Sequence, residues 1–88
     1  MNITISKIVP INHQIVKAVV SIALDGDIVI HGLKLLEGKN GLWVAWPRSF
    51  DGQGVFHDIV HPTNEQSRKA LSRMIIDEYT KQNGRNDK

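Results

Sequence analysis

The chain has 88 residues and no cysteine, so it can form one small domain but cannot be held together by disulfides or a cysteine-ligated zinc ion. Hydrophobic residues make up 41% and charged residues 23%, which excludes disorder over most of the length. The net charge of +2 does not by itself indicate a nucleic-acid-binding protein. Because the N-terminus lacks a signal-peptide pattern and no apolar run could span a bilayer, we expect a cytoplasmic protein.

Alternating apolar residues predict β-strands in the first two thirds of the chain. A short strand is expected near residues 3–8, and a longer one runs from Val16 to Leu24. The dipeptide Asp25-Gly26 then predicts a hairpin, since the turn needs positive φ angles that glycine adopts without a Cβ clash. The partner strand should run from Asp27 to about Leu36, with a bulge at Gly32.

Two further strands are expected before the helix. Residues 42–46 form a compact apolar strand, which Pro47 ends because proline cannot donate a hydrogen bond to a sheet ladder. After a glycine-rich turn at residues 51–54, residues 55–60 make the last strand. The expected sheet is therefore an antiparallel meander of four to five strands.

The sequence period changes to that of a helix in the last third of the chain. Thr63 is placed to accept a hydrogen bond from the backbone N–H of Gln66, as in a capping box. Four apolar residues at helical spacing would cover one face of the sheet: Leu71, Met74, Ile75 and Tyr79. With Gly84 as the stop, we predict one α+β domain over residues 1–83 and a short frayed tail at residues 84–88.

One helix can cover only one face of such a sheet. The other face would receive further apolar side chains: Val19, Ala23, Val29 and either Leu33 or Leu35. A second copy of the chain is the simplest partner to cover them, through strand pairing at the sheet edge or through packing of the two faces. We therefore expect a homodimer.

The basic excess lies on and after the helix, because the first 61 residues are neutral in sum. Lys69 and Arg73 are four residues apart on one helix face, where like charges repel by ~0.2–0.5 kcal/mol. The fold alone gives no reason for this pair, whereas binding to phosphate would. The alternative is a solvated face on which Arg73, Asp77 and Lys81 alternate in sign.

The two tryptophans, Trp43 and Trp46, are three residues apart and therefore lie on opposite faces of their strand. One of them should belong to the core. The other is expected either at a packing or dimer contact or as a stacking platform for an unpaired base.

Short motifs spread over residues 15 to 80 resemble those of the SpoVG (stage V sporulation protein G) family. They match it in order and spacing: Asn40-Gly41-Leu42, Ala45, Pro47, Asp51-Gly52, Phe56, Asp58-Ile59, His61-Pro62, Asn64 and Glu78-Tyr79. The resemblance implies a small cytoplasmic α+β dimer of bacteria that binds DNA and RNA. It further implies an influence on septum formation, sporulation and gene expression, with no catalytic activity and no cofactor.

The resemblance also implies where nucleic acid binds, since the family has basic residues after the proline of this strand and on the helix. Arg48 and Arg68 match those positions, Lys69 is adjacent, and Arg73 lies on the same side. Phe50 stands where the family has more basic side chains. An aromatic ring beside a guanidinium suits single-stranded nucleic acid, and the alternative is that Phe50 anchors the loop by packing. The expected nucleic-acid-binding residues are therefore Arg48, Phe50, Arg68, Lys69 and Arg73.

A protein-interaction module of the division or sporulation machinery, with little nucleic-acid binding, is the alternative function. The neutral first 61 residues favour it, as do Ser49 and Phe50 at positions that are basic in the family.

A histidine metal site is the remaining chemical alternative. His57 and His61 share one strand face, and His31 would complete three ligands for zinc. Four residues of a strand span ~13 Å, however, which is too far for one ion. We expect no metal site, and we expect no enzyme because the chain has no nucleophile elbow, phosphate loop or paired-carboxylate cleft.

Overall fold

The chain folds into an antiparallel sheet with one helix packed on it, as given by a computed structural model that describes residues 2–83. Its elements are β1 (Ile3–Pro10), β2 (Val16–Leu24), β3 (Ile28–Gly38), β4 (Gly41–Ala45), β5 (Arg48–Phe50), β6 (Phe56–Asp58) and α1 (Glu65–Asn83). The main sheet has the order β1-β2-β3-β4, and β5 pairs with β6 separately. The predicted α+β meander is confirmed. The predicted stop at Gly84 and the tail at residues 84–88 lie outside the described residues.

The last predicted strand, residues 55–60, is shorter than expected and does not join the main sheet. Only Phe56–Asp58 are extended, and they pair with Arg48–Phe50, a segment for which the sequence predicted no strand. Pro47, which has no N–H, stands between β4 and β5 and prevents the ladder from continuing. The N–H of Ile59 donates to the Pro47 carbonyl at 3.0 Å, so the β5–β6 hairpin is closed at its base.

The turn between β2 and β3 is the predicted hairpin. Asp25 and Gly26 have φ angles of 54° and 75°, as a primed two-residue turn requires. The N–H of Asp27 donates to the Leu24 carbonyl at 3.0 Å and closes the turn.

The predicted bulge at Gly32 is also present, and it decides which side chains reach the core. Val20 pairs with Leu33 while Ile22 pairs with Ile30, so Ser21 alone opposes both His31 and Gly32. Gly32 takes a φ of 91°, a conformation that a side chain disfavours. Ser21 is buried, and its Oγ forms a 2.8 Å hydrogen bond with His31 Nδ1 across the bulge.

The bulge overturns the expectation that Leu33 or Leu35 lies on the face away from the helix. A one-residue shift of register moves every following side chain to the opposite face. Leu33 and Leu35 therefore lie opposite Val20 and Ala18. The fully buried residues form one core under the helix: Ala18, Val20, Ile22, Leu33, Leu35 and Ile75.

The helix begins one residue later than the predicted capping box. Asn64, not Thr63, is the cap, since its Oδ1 accepts the N–H of Ser67 at 2.8 Å and its carbonyl accepts the N–H of Arg68 at 3.1 Å. Asparagine is among the best residues at this position because its short amide reaches the free N–H groups of the first turn. Among residues 2–83 no helix is long and apolar enough to cross a membrane.

Candidate functional site

The β5–β6 hairpin is held in shape by one carboxylate. Asp51 Oδ1 accepts the N–H groups of Gln53 and Val55 at 2.7 and 3.3 Å, and its Oδ2 accepts a hydrogen bond from His57 Nε2 at 2.9 Å. The His57 hydrogen bond, followed by that of the Gln53 N–H, holds the pKa of Asp51 below its ordinary value. Asp51 therefore fixes both the loop and the second strand of the hairpin.

Arg48 and Phe50, two of the predicted site residues, lie on the first strand of this hairpin. The Arg48 guanidinium carbon is 4.8 Å from the centre of the Phe56 ring, a cation–π contact. The Phe50 and Phe56 rings pack with their centres 5.1 Å apart. The three side chains support one another, although both rings remain 57% exposed.

Arg48 and Arg68 come together in a cleft of about 270 Å³, which we call the edge cleft because it borders the outer strand of the sheet. Its lining residues come from β4, the hairpin, the first turn of the helix and the segments that connect them: Trp43, Val44, Ala45, Trp46, Arg48, Asp58, His61 and Arg68. Two arginines, a histidine and one carboxylate thus surround an opening that can accept an anionic group.

The other predicted cations lie along the helix. Arg68, Lys69 and Arg73 line a shallow groove of about 470 Å³ on the exposed side of α1, which we call the helix groove. Arg68 forms a weak 3.9 Å contact with Glu65. Within residues 2–83 neither Lys69 nor Arg73 forms an ion pair. Arg68 belongs to both the helix groove and the edge cleft.

A third opening, of about 390 Å³, lies on the sheet face away from the helix, and we call it the open-face groove. Its polar and aromatic lining is Lys34 from β3, Trp43 from β4, Trp46, and Arg48 and Phe56 from the hairpin. Lys34 and Phe56 were not singled out as binding residues from the sequence. The short turn between Gly38 and Gly41 sets the register that places Lys34 opposite Ala45. The bulge at Gly32 places Lys34 on the open face, opposite Val19, and the face of a residue beyond a bulge is not evident from its neighbours in the sequence.

The two tryptophans lie on opposite faces of the sheet, as their spacing predicts. Trp46 packs against the core, and its Nε1 is buried with no acceptor among the described residues. Trp43 is 50% exposed on the opposite face. A Cβ on Gly38 would lie 3.2 Å from Trp43 Nε1, so the glycine gives the indole room to lie against the strand.

The three histidines considered as zinc ligands have separate hydrogen-bond partners. His57 donates to Asp51, His31 pairs with Ser21, and His61 Nδ1 donates to the Pro62 carbonyl at 2.9 Å. Residues 2–83 contain no group of three His, Cys, Asp or Glu side chains able to hold a metal ion.

Comparison with known proteins gives one consistent result. The SpoVG family model matches residues 1–81. Three similar relatives all carry the name "Putative septation protein SpoVG". The protein of Caldanaerobacter subterraneus subsp. tengcongensis is 45% identical over 74% of this chain and 71% of its own length. The Clostridium perfringens protein is 40% identical over 92% of this chain and 91% of its own length. The Bdellovibrio bacteriovorus protein is 39% identical over 93% of this chain and 76% of its own length.

Proposed function

We propose that this chain, which belongs to the SpoVG family, is a nucleic-acid-binding regulator that influences septum formation, sporulation and gene expression. One observation carries the proposal: Arg48 of the hairpin and Arg68 of the helix line the same edge cleft, and Arg68 continues into the helix groove. The name of the relatives supports the part that concerns septation.

The chemistry of these side chains suits phosphate. A guanidinium binds a phosphate through two parallel N–H···O bonds, and Lys69 adds a compact point charge beside Arg68. Since contacts to phosphate carry no base information, we expect binding to many sequences. Glu65 and Asp77 also line the helix groove. Neither carboxylate forms an ion pair with Lys69 or Arg73 within residues 2–83, so both cations can turn to a polyanion.

The test is a salt-titrated binding measurement by fluorescence anisotropy, with labelled single- and double-stranded oligonucleotides of random sequence. Four neutralised phosphates predict an affinity loss of about a hundredfold for duplex DNA between about 50 and 200 mM salt. The double variant Lys69→Ala/Arg73→Ala should bind more weakly and with a smaller salt slope. Lys7→Ala is the matched control, because Lys7 lies on β1 at the far edge of the sheet.

Salt-independent affinity would contradict the proposal, as would a double variant that binds like the unmodified chain. Protein partners that stay bound in a pull-down after nuclease treatment, with no oligonucleotide binding, would identify a protein-interaction module instead.

The chain is further proposed to act as a homodimer. Leu33 and Leu35 are buried in the core, so they do not add apolar surface to the open face for a second copy to cover. The hairpin region does expose apolar surface. Val55 and Ile59 beside the hairpin are 49% and 60% exposed, and this apolar surface is available for contact with a second copy of the chain. Light scattering should give twice the chain mass of 9.9 kDa. Ile59→Asp should reduce the mass to that of one chain, and a single-chain mass without the substitution would contradict the dimer.

A further inference from the structure

The open-face groove is lined by exposed aromatic side chains and by cations. Trp43 and Phe56 present half-exposed aromatic surface, at 50% and 57%. Burial of such large apolar side chains stabilises a fold, so the exposed half of each ring leaves stabilisation that a ligand can supply. Both rings are nevertheless held in place, Trp43 against Gly38 and Phe56 by contacts with Phe50 and Arg48.

The charge around these rings has one sign. Lys34 and Arg48 line the groove, and none of its lining residues is acidic. Within residues 2–83 neither cation forms an ion pair, and Arg48 instead lies over the Phe56 ring. The groove is therefore complementary to a ligand that carries negative charge and flat aromatic groups in alternation.

An unpaired polynucleotide strand has that composition. Bases of a single strand stack on aromatic side chains whatever their identity, while the phosphates between them are held by cations. A duplex hides the faces of its bases and cannot use the rings. The volume of about 390 Å³ is at the small end of the range of ligand sites, about 300–1,000 Å³, and suits one or two nucleotides.

The open-face groove is continuous with the edge cleft, because Trp43, Trp46 and Arg48 line both. Arg68 then connects the edge cleft to the helix groove. The cations Lys34, Arg48 and Arg68 thus mark a path around the outer strand of the sheet.

We infer that the open-face groove is a binding site for single-stranded nucleic acid, in which Trp43 and Phe56 stack on unpaired bases while Lys34 and Arg48 hold the adjacent phosphates. This inference rests on the proposed function and adds to it a preference for unpaired strands. Duplexes would be held by the helix groove and the edge cleft alone.

The experiment uses the full chain with Trp46→Phe, which makes Trp43 the single source of indole fluorescence. It is titrated with a thymidine oligonucleotide of about 12 nucleotides, long enough for one binding site, and with a random duplex of equal length. Stacking should quench Trp43 with the single strand and not with the duplex. In the unmodified background, Trp43→Ala should weaken single-strand binding about tenfold. Duplex binding should weaken much less, because the cations of the edge cleft and the helix groove are retained. Trp43→Phe, which retains a ring, should recover most of the loss.

Lys34→Ala provides a second variant that does not disturb packing, since Lys34 is exposed. It should weaken single-strand binding and reduce its salt slope, whereas Lys7→Ala should not. If Trp43→Ala leaves single-strand binding intact while Lys69→Ala/Arg73→Ala weakens it, the groove site is wrong and the proposed function stands. If no oligonucleotide binds, both fail. If Trp43 fluorescence is quenched on raising the protein concentration without any oligonucleotide, the groove is instead covered by a second copy of the chain.

Discussion

Arg48 and Phe56 contact each other diagonally across the β5–β6 hairpin, with the guanidinium carbon 4.8 Å from the ring centre. This contact fixes the one basic side chain of the hairpin beside the edge cleft. A cation–π pair at an exposed site is worth about 0.5–1 kcal/mol. Urea denaturation of Arg48→Ala, Phe56→Leu and the double variant should therefore give a coupling energy of that size. A coupling near zero would mean that the two side chains act independently.

Acid should loosen the same hairpin through Asp51. The pKa of this carboxyl is lowered in the folded chain, first by the hydrogen bond from His57 and then by that from the Gln53 N–H. Because the pKa is lower in the folded chain, ionised Asp51 stabilises the fold at pH values above the ordinary pKa of 3.8. This stabilisation is lost as the pH falls through the pKa of Asp51 in the folded chain.

The measurement is the protection of the Gln53 and Val55 amides against hydrogen exchange, followed by NMR as pH is lowered. Both amides should lose protection below pH 3.8, earlier than those of β2 and β3. Asp51→Asn removes the titrating group, so its hairpin should show no transition in this range. Loss of protection at the same pH in Asp51→Asn would exclude Asp51 as the cause.

The helix start can be tested with two neighbouring substitutions. Asn64→Ala removes the side chain that accepts the Ser67 N–H and should lower the free energy of unfolding by about 1 kcal/mol. Thr63→Ala is the matched control, with an expected change within about 0.5 kcal/mol. Thermal unfolding followed by circular dichroism distinguishes them, and a larger effect at Thr63 would contradict the cap.

Two substitutions on β3 test which of its side chains face the core. Leu33→Ala opens a cavity in the core and should cost about 2–5 kcal/mol. Leu36→Ala, at a half-buried position on the open face, should cost clearly less. Equal losses in chemical denaturation would show that the bulge at Gly32 does not order the strand in this way.

Local signals predicted much of the fold. Asp25-Gly26 specified its turn through the positive φ angles of both residues, and the bulge fell at Gly32 as expected. The pairing of Arg48–Phe50 with Phe56–Asp58 could not be predicted, because a three-residue strand is too short to show alternation. The face of Leu33 was missed for a related reason: the bulge was foreseen, but its effect on register appears only when the partner strand is in place.

The candidate site was predicted residue by residue rather than as a surface. Arg48, Phe50, Arg68, Lys69 and Arg73 were all named from charge, helical spacing and family resemblance. Arg48, Arg68, Lys69 and Arg73 line three connected openings, whereas Phe50 lines none of the three and packs on Phe56. The arrangement of the openings depends on how the helix returns to the edge of β4, which no local pattern encodes. Lys34 and Phe56 join them only through the register of the sheet and the fold of the hairpin.

The strand order β1-β2-β3-β4 also bears on the speed of folding. Every ladder joins segments that follow one another along the chain, so each step closes only a short loop and the entropic cost of closure stays small. Proteins dominated by such near-neighbour contacts fold faster than those whose strands cross over. The sheet can therefore form by adding one neighbouring strand at a time to the β2–β3 hairpin. Docking of the helix onto the sheet is then the step that brings distant parts of the described chain together.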